Sequence, residues 1–344
     1  MKARFAALGL SLLAGAGLLT ACGSNSSSSS DKDTTVRLGF FPNITHATAL
    51  VGVQKGIFTK RLGKAPKTLT FNAGPAATEA VFSGAVDATY VGPNPTINAF
   101  AKSHGQAIKI ISGTASGGAA LIVKPAIKTA ADLRGKKIAT PQLGNTQDVA
   151  LRHWLQQQGY KTDKSGGGDV HVVPQDNSQT LQAFQQGQID GAWVPEPYAS
   201  RLVLESKGKK LVDEASLWPG GKFVITNLIV RTEFLKKHPG LVKKLLEAQV
   251  EANEYINSNK ADAEKAANTE LQALTGKPLK QAALDATFKN VTFTNDPIAS
   301  SLKASAHHAE QVGLLGRVDL KGIYDLGPLN EVLKAKGEPT VSES

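Results

Sequence analysis

Five polar turns, each followed by a predicted helix, carry the residues of this sequence that are best suited to binding a small anion. A helix N-terminus presents unpaired N–H groups and a partial positive charge of about half a unit, so several N-termini around one cleft can hold an oxyanion without Lys or Arg. The candidate residues are Asn43, His46, Asn72, Gly74, Gly92, Asn94, Thr96, Gln142, Asn145, Thr146, Gln147, Asp176 and Asn177. The alternative is that Asn94, Asn145, Thr146 and Asn177 only cap helices, as these residue types commonly do.

Two bulkier candidates follow a predicted strand near these turns. Trp193 is expected at a strand end facing the cleft, where its ring would stack on the carbon part of a solute; a core position is the alternative. Glu196 leaves two outcomes open. A carboxylate that points into the cleft favours a zwitterion carrying an amine, whereas one that points outward caps the next helix. His46 is interpreted either as a donor to an oxyanion or as a surface or capping residue.

The sequence lacks the motifs of the common catalytic classes. Residues 113–117 read Gly-Thr-Ala-Ser-Gly, with alanine where a nucleophile elbow needs serine, and neither a P-loop nor an HExxH motif occurs. His307 and His308 are adjacent, so a single helix cannot turn both toward one ion. A single Cys excludes a disulfide scaffold and a thiolate zinc site. We therefore expect a binding protein with no catalytic residue, metal or cofactor.

The N-terminus is typical of an exported lipoprotein. Lys2 and Arg4 precede an apolar run over residues 5–19, which is too short to span a membrane as a stable helix. Residues 19–22 resemble the lipobox of bacterial lipoproteins, which implies a signal peptide over residues 1–21 and lipidation at Cys22, with a flexible Ser-rich tether over residues 22–33. The alternative is an ordinary signal peptide with Cys22 near the cleavage site by chance.

The chain is basic, with 39 Lys and Arg against 29 Asp and Glu and a net charge of +10. These charges are spread along the sequence without a block of five or six of one sign, so we interpret them as a solvated surface. Because the protein is expected to be exported and has no tract in which basic and aromatic residues alternate, we expect no nucleic-acid partner.

An internal repeat predicts the architecture. Residues 80–91 align without a gap with residues 183–194, and each copy predicts the end of a helix, a glycine and a short strand. Upstream, residues 36–41 and 137–140 each predict a strand followed by a helix, from about residue 46 in the first case and over residues 146–158 in the second. The chain thus contains two similar β-α-β-α-β units.

Such alternation predicts an α/β fold of two lobes, each a mostly parallel sheet flanked by helices. In open parallel sheets, ligands bind at the carboxyl ends of the strands, which places the expected cleft between the lobes. We expect residues 34–122 and 224–344 in lobe I and residues 123–223 in lobe II. Residues 223–230 predict a strand that returns to the first lobe, and residues 121–125 and 218–224 are the expected hinge.

Together with the lipobox, residues 37–41, 52–58, 133–139, 187–193 and 237–239 carry a family resemblance. In their order and spacing they resemble the solute-binding proteins of ABC importers for nitrate, taurine and aliphatic sulfonates, and the resemblance covers nearly all of residues 34–260. It implies a two-lobed fold of the type II periplasmic-binding-protein class. It also implies capture of a small solute outside the cytoplasmic membrane and delivery to a permease with cytoplasmic ATPase subunits, without chemistry on the solute.

The expected function is that of a lipid-anchored, monomeric receptor that captures an aliphatic sulfonate or a taurine-like solute. Nitrate, bicarbonate, an aminophosphonate, an aromatic carboxylate or a thiamine precursor are the alternative solutes on the same fold. An enzyme and an interaction lipoprotein are the remaining classes; the first would turn over its bound solute, and the second would have no saturable small-molecule site.

Overall fold

The computed structural model of this chain describes residues 31 and 33–343. The predicted signal peptide and Cys22 lie outside these residues, as does most of the predicted tether. Asp31, at the end of that tether, lies 2.7 Å from His238 Nδ1 through its Oδ1 atom. Nowhere in residues 33–343 is a helix both long and apolar enough to cross a membrane.

In the described part of the chain, eleven strands form two sheets. The strands are β1 Arg37–Phe40, β2 Lys67–Thr70, β3 Ala88–Val91, β4 Ile108–Gly117, β5 Ala119–Val123, β6 Lys137–Thr140, β7 His171–Pro174, β8 Gly191–Pro195, β9 Lys209–Asp213, β10 Val224–Arg231 and β11 Val291–Phe293. The first sheet has the order β11-β4-β10-β3-β1-β2 and the second has the order β7-β6-β8-β5-β9.

Helices cover both sheets. They are α1 Ala47–Gln54, α2 Ile57–Leu62, α3 Gly74–Phe82, α4 Pro93–Lys102, α5 Thr146–Gln157, α6 Asn177–Gln185, α7 Tyr198–Ser206, α8 Thr232–Lys237, α9 Pro239–Ser258, α10 Lys260–Thr275, α11 Gln281–Asn290, α12 Ala299–Gln311 and α13 Gly327–Ala335. We call each sheet with the helices packed on it a lobe.

The two lobes share one arrangement of strands. In the first, β1 lies between β2 and β3 with all three parallel, and in the second, β6 lies between β7 and β8 in the same way. An antiparallel strand follows on the β3 or β8 side, β10 in the first lobe and β5 in the second. The predicted pair of β-α-β-α-β units is therefore confirmed, as is the return of residues 223–230 to the first sheet.

Burial explains why these segments form strands. A parallel strand covered on both faces needs a continuous apolar run, and β1 is buried over its last three residues. Gly39 lies opposite Thr89 on β3, and a Cβ atom at Gly39 would lie 2.5 Å from Thr89 Oγ1. Each lobe has its own apolar core, the first around Leu38, Phe40 and Leu228 and the second around Leu121 and Ile138.

The chain changes lobe earlier than the sequence predicted. Strand β4 ends in the first sheet at Gly117, and β5 begins in the second sheet at Ala119. Leu121 and Val123 pair with β8 and β9, so the predicted lobe boundary after residue 122 and the predicted first hinge at residues 121–125 are wrong. Gly117 and Gly118 have φ angles of 79° and 71°, a left-handed conformation that favours glycine and breaks the apolar run between the sheets. The second crossing lies between β9 and β10.

Candidate functional site

The carboxyl ends of the parallel strands of both lobes face one narrow cleft with a volume of about 20 Å³. The cleft is lined by Phe41, Asn43, Thr45, His46, Asn72, Gly92 and Ile225 of the first lobe and by Asn145, Thr146, Gln147, Asn177 and Pro195 of the second. A volume of this size holds about one water molecule. The structure therefore brings eight of the predicted residues together around one small cleft.

Three helices begin at this cleft. They are α4 after Gly92, α5 after Asn145 and α6 after Asp176, and neither Asn145 nor Asp176 caps its helix through the side chain. Two of the first three residues of α4 are prolines, Pro93 and Pro95, so that turn offers only the N–H of Asn94. The N–H groups of a first helical turn have no partner within the helix, so they stay available to a ligand. The alternative that Asn145 serves only as a helix cap is therefore wrong.

Two side-chain atoms at the cleft are buried without a hydrogen-bond partner among the described residues. They are Thr146 Oγ1 and Asn177 Oδ1, in residues that are 6% and 4% exposed. A buried polar atom left unpaired costs about 1–3 kcal/mol. Both atoms belong to the second lobe. An oxyanion can accept from the Thr146 hydroxyl, whereas Asn177 Oδ1 is an acceptor and needs a donor from the ligand.

His46 lies at the bottom of the cleft and is neutral near pH 7. Burial lowers its pKa to about 3. The backbone N–H of Phe41 donates to His46 Nδ1 at 3.2 Å, and the two rings stack with centroids 4.2 Å apart. Because Nδ1 accepts, the hydrogen bond assigns the proton to Nε2, which makes the ring a donor. The interpretation of His46 as a surface residue is therefore wrong.

None of the lining side chains carries a charge near neutral pH, since His46 is uncharged and the others do not ionise. A carboxylate lies at the mouth instead. Asp176 accepts from Gln142 Nε2 at 3.2 Å and from Asn72 Nδ2, across the cleft, at 3.4 Å. The contact between Asn72 and Asp176 joins the two lobes at the rim.

Asn94, Thr96 and Gly74 do not line the cleft, although the sequence predicted that they would. Asn94 donates to the backbone oxygen of Ser305 at 3.1 Å, and Thr96 donates to the backbone oxygen of Gly92 at 2.9 Å. Both side chains are buried within the first lobe. The predictions of Asn94 and Thr96 as ligand-binding residues are wrong, because both make structural hydrogen bonds. Gly74 lies behind the cleft, where a Cβ atom would overlap Pro95.

Trp193 packs in the core of the second lobe. It is fully buried, with its ring centroid 6.0 Å from that of Trp154. Its Nε1 donates to the carboxylate of Glu214 at 2.7 Å. The prediction that Trp193 faces the cleft is therefore wrong, and the alternative core position is confirmed.

Glu196 points away from the cleft and caps α7. Its carboxylate accepts from the backbone N–H and the hydroxyl of Ser200, at 3.0 and 2.8 Å, and from Thr287 Oγ1 and Asn290 Nδ2 of α11 at 3.3 and 2.7 Å. It lines a separate cavity of about 450 Å³. Of the two predicted outcomes for Glu196, the helix cap is confirmed. Glu196 therefore gives no reason to expect a zwitterionic solute.

Glu196→Gln is expected to lower the free energy of unfolding by about 1–3 kcal/mol without changing which solute binds, because the new amide turns a donor toward a donor. Urea unfolding and the ratio of the affinities for taurine and ethanesulfonate test this. The control is Glu79→Gln at an exposed glutamate. A changed ratio of the affinities for taurine and ethanesulfonate would indicate that Glu196 contacts the solute.

Acidification is expected to destabilise the protein. Burial lowers the pKa of His46 to about 3 and that of His308 to about 4, with the charges of His153 and His307 adding to the effect at His308. His153 of α5 stacks on His308 of α12, with centroids 3.7 Å apart, and so joins the two lobes.

In the unfolded chain the imidazoles of His46 and His308 bind a proton near pH 6.5, whereas in the folded chain they do so only at lower pH. The stability they contribute is present above about pH 6.5 and is lost as the pH falls toward the folded-state pKa values, by about 1.4 kcal/mol per pH unit for a fully buried group. Urea midpoints measured from pH 7.5 to 4.5 check this, and His308→Gln should flatten the curve. A midpoint that does not move would contradict the expectation.

Sequence reasoning missed four lining residues, Phe41, Thr45, Ile225 and Pro195. Three of them adjoin predicted residues, so the turns themselves were the available signal. Ile225 lies on β10, and its place at the cleft follows only from the pairing of β10 with β3 and β4.

Comparison with known proteins identifies the class to which this two-lobed fold belongs. The alkanesulfonate-binding protein SsuA from Xanthomonas axonopodis pv. citri bound to MOPS superimposes with a TM-score of 0.68 at 20% identity, over 82% of this chain and 94% of that chain. The periplasmic nitrate-binding protein NrtA from Synechocystis PCC 6803 does so with a TM-score of 0.74 at 16% identity, over 88% and 89%. The predicted fold of the periplasmic-binding-protein class is confirmed.

The chain belongs to the NMT1-like family, which matches residues 29–271. The taurine-binding periplasmic protein of Escherichia coli (strain K12) is 29% identical to it over 214 residues, which are 61% of this chain. The match spans 63% of that relative's own length. The resemblance to nitrate-, taurine- and sulfonate-binding proteins is thereby confirmed.

Proposed function

We propose that this protein is the extracytoplasmic solute-binding component of an ABC importer and that it captures a small oxyanion-bearing organic solute, an aliphatic sulfonate or a taurine-like molecule, between its lobes. The observation that carries the proposal is the buried, unpartnered hydroxyl of Thr146 beside the uncapped N-termini of α5 and α6. Family membership and the names of the relatives support it.

The cleft would bind an oxyanion through neutral donors. The first-turn N–H groups of α5 and α6 and the hydroxyl of Thr146 suit a charge spread over several oxygens, and His46 adds the Nε2 proton. We assign ligand contacts to Asn43, His46, Asn72, Gly92, Asn145, Thr146, Gln147 and Asn177, with Gln142 and Asp176 at the rim.

Binding would proceed by closure. An alkanesulfonate is larger than a cavity of about 20 Å³ admits, so the lobes must separate to accept it and close to a wider cleft than this structure has. A solute drives closure only if it binds the closed form more tightly than the open form. The closed form would be presented to a permease with cytoplasmic ATPase subunits, and a lipid at Cys22 would hold the receptor at the membrane.

The small volume of the cleft favours a second candidate, an inorganic oxyanion such as nitrate or bicarbonate. An ion of this size fits the observed closure more closely than a sulfonate with a carbon chain does. The donors would be the same, so the two candidates differ in the size of the bound solute alone.

A thermal-shift screen of the full chain in mild detergent tests the proposal. Ethanesulfonate, taurine, nitrate and bicarbonate are the probes, and a hundredfold excess over the dissociation constant should stabilise the folded form by about 2.7 kcal/mol. Thr146→Val should weaken binding about tenfold, because it leaves the oxyanion without one donor, while Thr59→Val on the exposed surface should not. Saturable binding that Thr146→Val leaves unchanged would contradict the assigned site.

A further inference from the structure

A buried ion pair lies directly behind the cleft in the second lobe. Asp148 and Arg152 are 0% and 2% exposed and lie one turn apart on α5, with Oδ1 and Nε separated by 3.0 Å. Asp148 Oδ1 also accepts from the hydroxyl of Thr140 at 2.9 Å, and Oδ2 accepts from the N–H of Gly144 at 2.9 Å. One carboxylate thus ties the last residue of β6, the following loop and the start of α5 together.

These bonds enclose the cleft residues of the second lobe. Asn145, Thr146 and Gln147 lie between Gly144 and Asp148 in the chain, and all three line the cleft. Because both ends of this segment are held by the same side chain, the positions of its donors depend on Asp148.

The position of Asp148 creates an electrostatic problem for an anion receptor. Its carboxylate is the third residue of α5, where an unpaired negative charge would offset the helix N-terminus and repel an oxyanion bound there. Arg152 cancels that charge. Arg152 Nη1 donates to the backbone oxygen of Asp163 at 2.6 Å, and Nη2 has no hydrogen-bond partner in the described chain.

Stability alone does not account for such a pair. The cost of taking two charges out of water is often larger than their attraction, and apolar replacements are frequently as stable. A buried pair next to a set of ligand donors is better explained by what it does for those donors.

We propose that Asp148 is a positioning residue for the oxyanion donors of α5 and that Arg152 compensates its charge, so that the cleft stays favourable to an anion. This inference rests on the proposed function, since it requires an anionic group in the cleft. It assigns the pair no contact with the solute.

The test compares three variants with ethanesulfonate and nitrate as calorimetric probes. Arg152→Met leaves the carboxylate uncompensated and should weaken binding at least tenfold, whereas Arg152→Lys keeps the charge and should stay within about threefold of the unmodified chain. The double variant Asp148→Asn with Arg152→Met removes both charges and should bind more tightly than Arg152→Met alone. Arg134→Met, at an exposed ion pair of the same lobe, is the control and should change nothing.

A purely structural role predicts the opposite order, because the double variant then lacks two native groups rather than one. A double variant that binds no better than Arg152→Met overturns the compensating role of Arg152. If urea unfolding shows that Arg152→Met does not fold, the double variant and Arg152→Lys provide the test. The proposal is supported if both bind within about tenfold of the unmodified chain. It is overturned if either variant folds but loses binding. If the unmodified chain binds none of ethanesulfonate, taurine, nitrate and bicarbonate, the proposed function fails, and this inference fails with it.

Discussion

Gly92→Ala is expected to weaken solute binding strongly while leaving the unliganded chain as stable as the unmodified one. Gly92 has φ −69° and ψ 163°, a conformation open to any residue. A Cβ atom there would overlap Thr146 Oγ1 of the opposite lobe, whereas the backbone oxygen of Ile225 in its own lobe lies at an ordinary contact distance of 3.5 Å. The added methyl group therefore opposes closure without straining either lobe.

The expected loss of affinity is on the order of a hundredfold. The apparent affinity falls in proportion to the population of the closed, binding-competent state, and the added methyl group lowers that population. Isothermal titration calorimetry with the probe that binds the unmodified chain measures it, and a thermal melt without solute checks the fold. Gly316→Ala is the matched control, since no atom lies within 4 Å of a Cβ atom there. Unchanged affinity in Gly92→Ala would show that the bound form does not bring Gly92 and Thr146 as close together as they lie here.

Trp193→Phe is expected to lower the free energy of unfolding by about 3 kcal/mol while leaving the affinity for solute within about twofold. Burial raises the pKa of Glu214 to about 7, and the Trp193 N–H opposes that rise by stabilising the charged form. Phenylalanine keeps an apolar ring in the core but leaves the buried carboxylate without this donor.

The pH dependence of the effect identifies its cause. Glu214 is mostly protonated below pH 7 and mostly charged above it, so the loss of stability in Trp193→Phe should be larger at pH 8 than at pH 6. Trp154→Phe serves as the matched control, because it reduces a ring of the same core cluster. A fall in affinity comparable to the fall in stability would instead place Trp193 at the solute.

The architecture was predictable because two signals in the sequence agreed. The ungapped match of residues 80–91 with residues 183–194 places equivalent helix ends and strands in both lobes, and the structure has α3 with β3 and α6 with β8 at those positions. Strand β6 begins and ends where the sequence placed it, since Lys137 and the turn after Thr140 bound a short apolar run.

Side-chain direction was less predictable, as Asn94 and Asn145 show. Both are asparagines beside a helix start after a parallel strand, yet Asn94 bonds to Ser305 on α12, whereas Asn145 lines the cleft. The difference depends on α12, which packs beside α4 although some two hundred residues separate them in the chain. The residues next to Asn94 and Asn145 in the sequence do not indicate that contact. The sequence around Trp193 likewise does not indicate its hydrogen bond to Glu214.

The first hinge was misplaced for a related reason. Residues 119–123 are an apolar run that follows β4 with a single residue between, and the hinge was predicted at the far end of that run. Two consecutive glycines in a left-handed conformation bend the chain at residues 117 and 118 instead. The doublet was visible in the sequence, but glycine in a strand indicates several structures besides a hinge.

A crystal structure of the protein with the solute that gives the largest thermal shift is the most direct test of the central claim. We expect the oxyanion between the lobes, with one oxygen within hydrogen-bond distance of Thr146 Oγ1 and others facing the first turns of α5 and α6. A solute found instead in the cavity lined by Glu196 and Ser200, with the cleft between the lobes unchanged, would contradict it.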